Sequence, residues 1–95
     1  MEKDIVWFDL ETTGVNTSSD RIIEICMIKT DAQGNEIGVY HKLVHPGSEI
    51  EMRQEAVDKH GITYEMLEGK DTFDMIAKEV FDFIGDSNLG GYNAL

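Results

Sequence analysis

Ninety-five residues, 41% of them hydrophobic and 28% charged, make one small globular unit and are inconsistent with a disordered chain. Nineteen acidic against eight basic side chains give a net charge of -11, which argues against a nucleic-acid grip built on a basic face; it leaves open a carboxylate cluster whose divalent cations attract phosphate oxygens. No apolar run approaches the ~20 residues that span a bilayer and no signal-peptide core follows Met1, so no membrane association and a cytoplasmic location are expected.

Ile5-Val6-Trp7-Phe8-Asp9-Leu10 is β-branched and aromatic, and Thr12-Thr13-Gly14 closes it as a turn would close a central strand. A polar loop over 15–20 leads to a second strand, Arg21 to Thr30, apolar enough to be buried on both faces, with Cys26 as a small core residue. Asp31-Ala32-Gln33-Gly34-Asn35 has hairpin-turn residues, and Glu36 to Val44 follows as a third strand, completing an antiparallel meander. His45-Pro46-Gly47 ends the sheet pattern. Beyond it, Glu51 to His60 is expected to be a helix stopped by Gly61, and Thr63 to Leu67 a helical turn. Phe73, Ile76, Ala77, Val80, Phe81 and Ile84 form an amphipathic stripe, with Asp71 or Thr72 as N-cap and Glu79, Asp82 and Asp86 on the solvated side. Leu89 to Asn93 reads as a fourth strand, placed parallel to the first by the helical crossover.

Asp9 and Glu11 are two apart in a strand, so both carboxylates leave the same sheet face at its C-terminal edge. An isolated Asp-x-Glu is more often a solvated strand end. Here it closes a wholly apolar strand, where two charges are costly unless something compensates them. Mg²⁺ or Mn²⁺ would do so, and Thr12-Thr13-Gly14 adds hydroxyls and amides that suit either a sugar and phosphate or plain turn chemistry. Glu24, in an apolar strand, suits a structural hydrogen bond or a role behind a metal ligand; His41 reads as a strand histidine, His45 as a turn residue, and His60 as either a helix end or a cleft residue.

Phe8-Asp9-Leu10-Glu11-Thr12-Thr13-Gly14 resembles the first motif of the DEDD exonuclease superfamily (DEDDh type), in particular the epsilon-subunit-like proofreading exonucleases of DNA polymerase III. Asp20-Arg21-Ile22-Ile23-Glu24-Ile25 resembles that family's second strand, His45-Pro46-Gly47 its next turn, and His60-Gly61-Ile62-Thr63 a segment lining its nucleotide cleft. Gly91-Tyr92-Asn93 resembles the start of its second motif, with Tyr92 replacing a histidine; the motif's Asp would fall just past Leu95, and the histidine base and last Asp further on.

The resemblance implies an α/β, RNase H-like fold in truncated form: a three-stranded antiparallel meander, helices, and a fourth strand parallel to the first. Residues 1–95 would be the N-terminal part of one exonuclease domain whose C-terminal part is missing. Asp9 and Glu11 would be catalytic metal ligands, and Thr12, Thr13, Gly14, His60, Ile62 and Asn93 would bind substrate. The intact enzyme would use two Mg²⁺ or Mn²⁺ ions to hydrolyse nucleotides from a nucleic-acid 3′ end, DNA rather than RNA, with a polymerase as a potential partner. This chain alone would be inactive. The alternative is a noncatalytic scaffold or partner-binding module, or a fragment that self-associates through an unfinished sheet edge.

Overall fold

A computed structural model describes residues 3–14, 21–47 and 54–91. Its elements run in the order β1 (Ile5–Thr12), β2 (Ile22–Thr30), β3 (Glu36–Leu43), α1 (Gln54–His60), α2 (Tyr64–Leu67), α3 (Phe73–Ile84) and β4 (Asn88–Gly91). The loop expected over 15–20, the start of the helix expected from Glu51, and Tyr92 and Asn93 lie outside the described residues. The four strands form one sheet in the order β3-β2-β1-β4, antiparallel across β1–β2 and β2–β3 and parallel across β1–β4. This is the expected meander with a crossover strand, and it makes β1 a central strand flanked on both sides.

Alternation along β1 divides its side chains between two faces. Val6, Phe8 and Leu10 point toward α3, where Val6, Ile25, Met27, Val44, Ile76 and Val80 are buried as the main core. Each such side chain contributes about 1.5–3 kcal/mol on leaving water. Tyr40 and Phe83 pack at the margin of this core with ring centroids 6.0 Å apart, and the Tyr40 hydroxyl donates to Glu79 Oε1 at 2.8 Å. Burial and the neighbouring Glu79 carboxylate push the Tyr40 phenol up to about 12.

Two expectations about these apolar residues change. β2 is not buried evenly on both faces: Ile25 and Met27 are buried under α3, whereas Glu24, Cys26 and Ile28 on the other side are half-exposed. The physical reason is that α3 covers one face only, so Cys26 stands on the opposite face, not in the core. On α3 the buried stripe runs through Ile76 and Val80 with Phe73, Phe83 and Ile84 at its margin, and Phe81 is 66% exposed. Phe81 and Phe83 lie on opposite flanks of one helical stripe. Phe83 wins burial because Gly38 of β3 leaves room for its ring: a Cβ at Gly38 would stand 3.4 Å from it. Thr72 is the N-cap residue of α3, and Asp82 on the outer side pairs with Lys78 at 2.8 Å.

The register slips once between β1 and β2: Glu11 lies opposite Glu24, but Thr12 lies opposite Ile22, so Ile23 is an extra residue. Such a bulge bends the strand and sharpens its twist. Here it also serves two cores. Ile22 packs with the α3 core, while Ile23 is buried with Ile62 and Leu67 against Leu43 in a second, smaller one. Leu43 is opposite Glu24, so this second core stands on the carboxylate side of the sheet. α1, which buries none of its own side chains, ends at Gly61 (φ 73°), whose amide donates to Val57 O at 2.7 Å. A left-handed residue at that point turns the chain so that Ile62 can enter the second core.

The β2–β3 turn is organised by Asp31, whose Oδ1 accepts the amides of Gln33 and Asn35, both at 2.9 Å, while Oδ2 accepts the Asn35 side chain. These bonds, Asn35 foremost, hold the Asp31 carboxyl below the usual carboxylate range. The stability this supplies is therefore complete above the unfolded-state pKa of Asp and is lost as pH falls through the depressed folded value. Asp31→Ala is expected to lower stability at neutral pH and to flatten the acid limb of the stability curve; an unchanged acid limb would disprove the assignment. Among the described residues no helix is long and apolar enough to cross a membrane.

Candidate active site

Asp9 and Glu11 occupy alternate positions of β1 on the face turned away from α3, both half-buried. Across the β1–β2 ladder Asp9 faces Cys26 and Glu11 faces Glu24, and one strand further on Cys26 faces His41. Residues directly opposite share a sheet face, so Asp9, Glu11, Glu24, Cys26 and His41 form one polar patch at the C-terminal edge of β1. Two carboxylates facing each other repel. Glu24 is engaged by His41, whose Nε2 lies 2.6 Å from Glu24 Oε2. Burial, together with the Glu24 and Asp9 carboxylates, pushes the Cys26 thiol up, which keeps it protonated and unreactive.

The turn after β1 is more tightly bonded than its residue types suggest. The Thr12 hydroxyl donates to Gly14 O. Thr13 is fully buried; its amide donates to Arg21 O at 2.9 Å and its hydroxyl accepts the Arg21 amide at 3.0 Å. The Thr13 hydroxyl is thus turned inward and fastens the two ends of the 13–21 connection, rather than facing outward as a substrate contact would. Ile62, also expected to line a cleft, is only 5% exposed and belongs to the second core, because Ile23 and Leu67 close over it. Thr12, Gly14 and His60 remain half-buried at this edge, and Asn93 is outside the described residues.

His60 stands at the junction. Its Nε2 lies 3.2 Å from the carbonyl oxygen of Thr12, and its Nδ1 accepts the Ile62 amide at 3.0 Å. His45, by contrast, serves its own turn, with Nδ1 accepting the Gly47 amide and the ring edge-on to Tyr64.

β4 delivers the next part of the chain to the same edge. It runs parallel to β1 with Gly91 opposite Phe8, one residue short of Asp9. The Trp7 ring lies against Gly90 and donates Nε1–H to Thr30 Oγ1 at 3.0 Å, and a Cβ at Gly90 would come within 2.7 Å of that ring. Gly90→Ala is therefore expected to destabilise the fold by about 1–3 kcal/mol, through displacement of Trp7 or of β4. Chemical denaturation measures this, and a neutral substitution would show that the β1–β4 contact is loose.

The carboxylate pair suits a hard divalent cation, since Mg²⁺ and Mn²⁺ prefer oxygen ligands. It is a partial donor set: among the described residues no three His, Cys, Asp or Glu side chains converge on one point. The exonuclease family model matches residues 6–95. This chain belongs to the exonuclease family. The exonuclease-family chain is 37% identical over 89 residues to the PolC-type DNA polymerase III of Thermotoga maritima, covering 94% of itself and 6% of that protein. It is 32% identical over 105 aligned positions to the mitochondrial oligoribonuclease of Saccharomyces cerevisiae, covering 93% of itself and 39% of that protein. The structure of exonuclease I with bound product superimposes with a TM-score of 0.86 at 24% identity, over 98% of this chain and 22% of the other. The E. coli exonuclease I complex with a dT13 oligonucleotide gives the same TM-score over 97% and 21%. The fold is the RNase H-like exonuclease fold, and the DEDD resemblance of the Phe8–Gly14 segment agrees with the family. The chain spans well under half the length of these relatives.

Proposed function

We propose that this exonuclease-family chain is the N-terminal part of one domain that hydrolyses nucleotides from nucleic-acid 3′ ends with the help of two divalent metal ions. The observation that carries the reading is the placement of Asp9 and Glu11: two carboxylates on one face of a central strand, at the edge toward which the parallel strand β4 also runs. Asp9 and Glu11 would hold Mg²⁺ or Mn²⁺, which when bound supplies a nucleophilic water and neutralises charge on the phosphate. Thr12 and Gly14 present the β1 exit turn to the terminal nucleotide. Nothing on the described residues resembles a basic groove deep enough to hold a nucleic acid by charge alone, which fits recognition focused on metal-bound phosphate in a chain of net charge -11.

Two carboxylates and no general base from the missing motifs make negligible turnover the expectation for residues 1–95 alone. DNA is favoured as substrate, and a polymerase as partner, because PolC-type polymerases are among the relatives with the highest identity. The test uses the open reading frame carried past Leu95 and a DNA oligonucleotide labelled at its 5′ end. Progressive shortening from the 3′ end in Mg²⁺ or Mn²⁺, abolished by Asp9→Ala, supports the proposal. Shortening that survives Asp9→Ala overturns it, as does equal turnover by the 95-residue chain.

A further inference from the structure

His60 has both ring nitrogens engaged, and the partners dictate where its proton sits. An amide N–H can only donate, so Nδ1, which receives the Ile62 amide, carries the lone pair. A neutral imidazole has one N–H, and it must then be on Nε2, aimed at the Thr12 carbonyl 3.2 Å away, a group that can only accept. The two contacts agree on a single neutral tautomer. They also join two parts of the chain that have few other ties: α1 buries no side chain of its own, and its exit is fixed to the sheet by Ile62 in the second core and by this ring.

The receiving carbonyl belongs to the residue directly after Glu11, at the point where the β1–β2 register slips. The bulge shifts the register there, but the N–H of the same Thr12–Thr13 peptide still donates to Arg21 O at 2.9 Å, so Arg21 at the N–H and His60 at the carbonyl hold that peptide from its two ends. Thr13 is fastened from the other side through Arg21. We infer that His60 is a positioning residue, a neutral clasp whose Nε2–H holds the Thr12 peptide and thereby sets the direction in which Glu11 leaves the strand toward a bound cation. The inference rests on the reading of Asp9 and Glu11 as metal ligands.

Two substitutions separate the two nitrogens. Glutamine can place an amide N–H near the position of Nε2, and asparagine an acceptor near that of Nδ1. With Mn²⁺ alone as the probe, the 95-residue chain carrying His60→Ala is expected to bind the ion about two- to tenfold more weakly than the unaltered chain, the range expected for one lost hydrogen bond. His60→Gln recovers most of that loss and His60→Asn does not. A long-range ¹H–¹⁵N spectrum of the unaltered chain shows His60 protonated on Nε2 only. Rescue by asparagine but not glutamine, unchanged Mn²⁺ affinity in a folded His60→Ala chain, or an Nδ1–H tautomer overturns the inference. Should His60→Ala fail to fold, the glutamine–asparagine pair decides. Equal Mn²⁺ binding by the unaltered chain and Asp9→Ala instead defeats the metal-ligand reading and the proposed coupling with it, while the tautomer spectrum still reports whether the clasp exists.

Discussion

Asp9→Ala is expected to lower Mn²⁺ affinity on the order of 100-fold, at the upper end of what the loss of groups merely supporting a metal ligand produces, since here a ligand itself is removed. The same change should leave folding stability within about 0.5 kcal/mol, because Asp9 is half-buried, belongs to neither apolar core, and stands among other acids on its face. The combination is informative: a large effect on the ion with a small effect on the fold separates a site from a strut. Asp82→Ala is the matching control. Asp82 is an exposed carboxylate on α3 paired with Lys78, and its removal should leave Mn²⁺ affinity unchanged even though it alters the net charge equally. Isothermal titration calorimetry of the two variants distinguishes a defined site from general attraction of cations to an acidic surface.

Ile76→Ala is expected to have the largest effect on stability, about 2–5 kcal/mol. Ile76 is 1% exposed, and α3 is the element that covers the main core. A chain of this size has about 5–15 kcal/mol of total stability, so this single truncation removes a large share and should bring the midpoint of thermal unfolding down steeply. Phe81→Ala removes more carbon from the same helix yet should cost well under 1 kcal/mol, because Phe81 is 66% exposed. Measured by urea denaturation, the order Ile76 far above Phe81 follows from the observed stripe; equal losses would mean that α3 packs rotated from the orientation described.

The elements whose signals are local were legible from residue order alone. Strand period, the Asp31–Asn35 turn and Gly61 as a helix stop each depend on a few adjacent residues, and each stands where its residue types predict. The carboxylate pair was legible for the same reason, since i and i+2 share a face in any strand. What could not be read depends on which element covers which face. Phe81 and Phe83 are equally apolar, and only the space over Gly38 decides between them. β2 has the composition of a strand buried on both sides, but α3 shields one side, so Cys26 stands beside Asp9 instead of in the core. The inward turn of the Thr13 hydroxyl depends on Arg21, across a connection whose path no local rule gives. His60 is the most instructive case: helix-end and cleft readings both fit its position in the sequence, and no local rule shows that one ring nitrogen serves the helix exit while the other reaches the Thr12 carbonyl at the end of β1.

Divalent cations are expected to seek the Asp9–Glu11 edge of β1 rather than the acidic surface at large. Paramagnetic broadening of a ¹⁵N-labelled chain by substoichiometric Mn²⁺ tests it most directly, because the ion bleaches the amides nearest its binding point. Selective loss of the signals of Asp9 to Thr12 and of their ladder partners Glu24 and Cys26, with α3 left sharp, is the predicted result. Broadening centred on Glu79, Asp82 and Asp86, or spread evenly over the acidic residues, would contradict it.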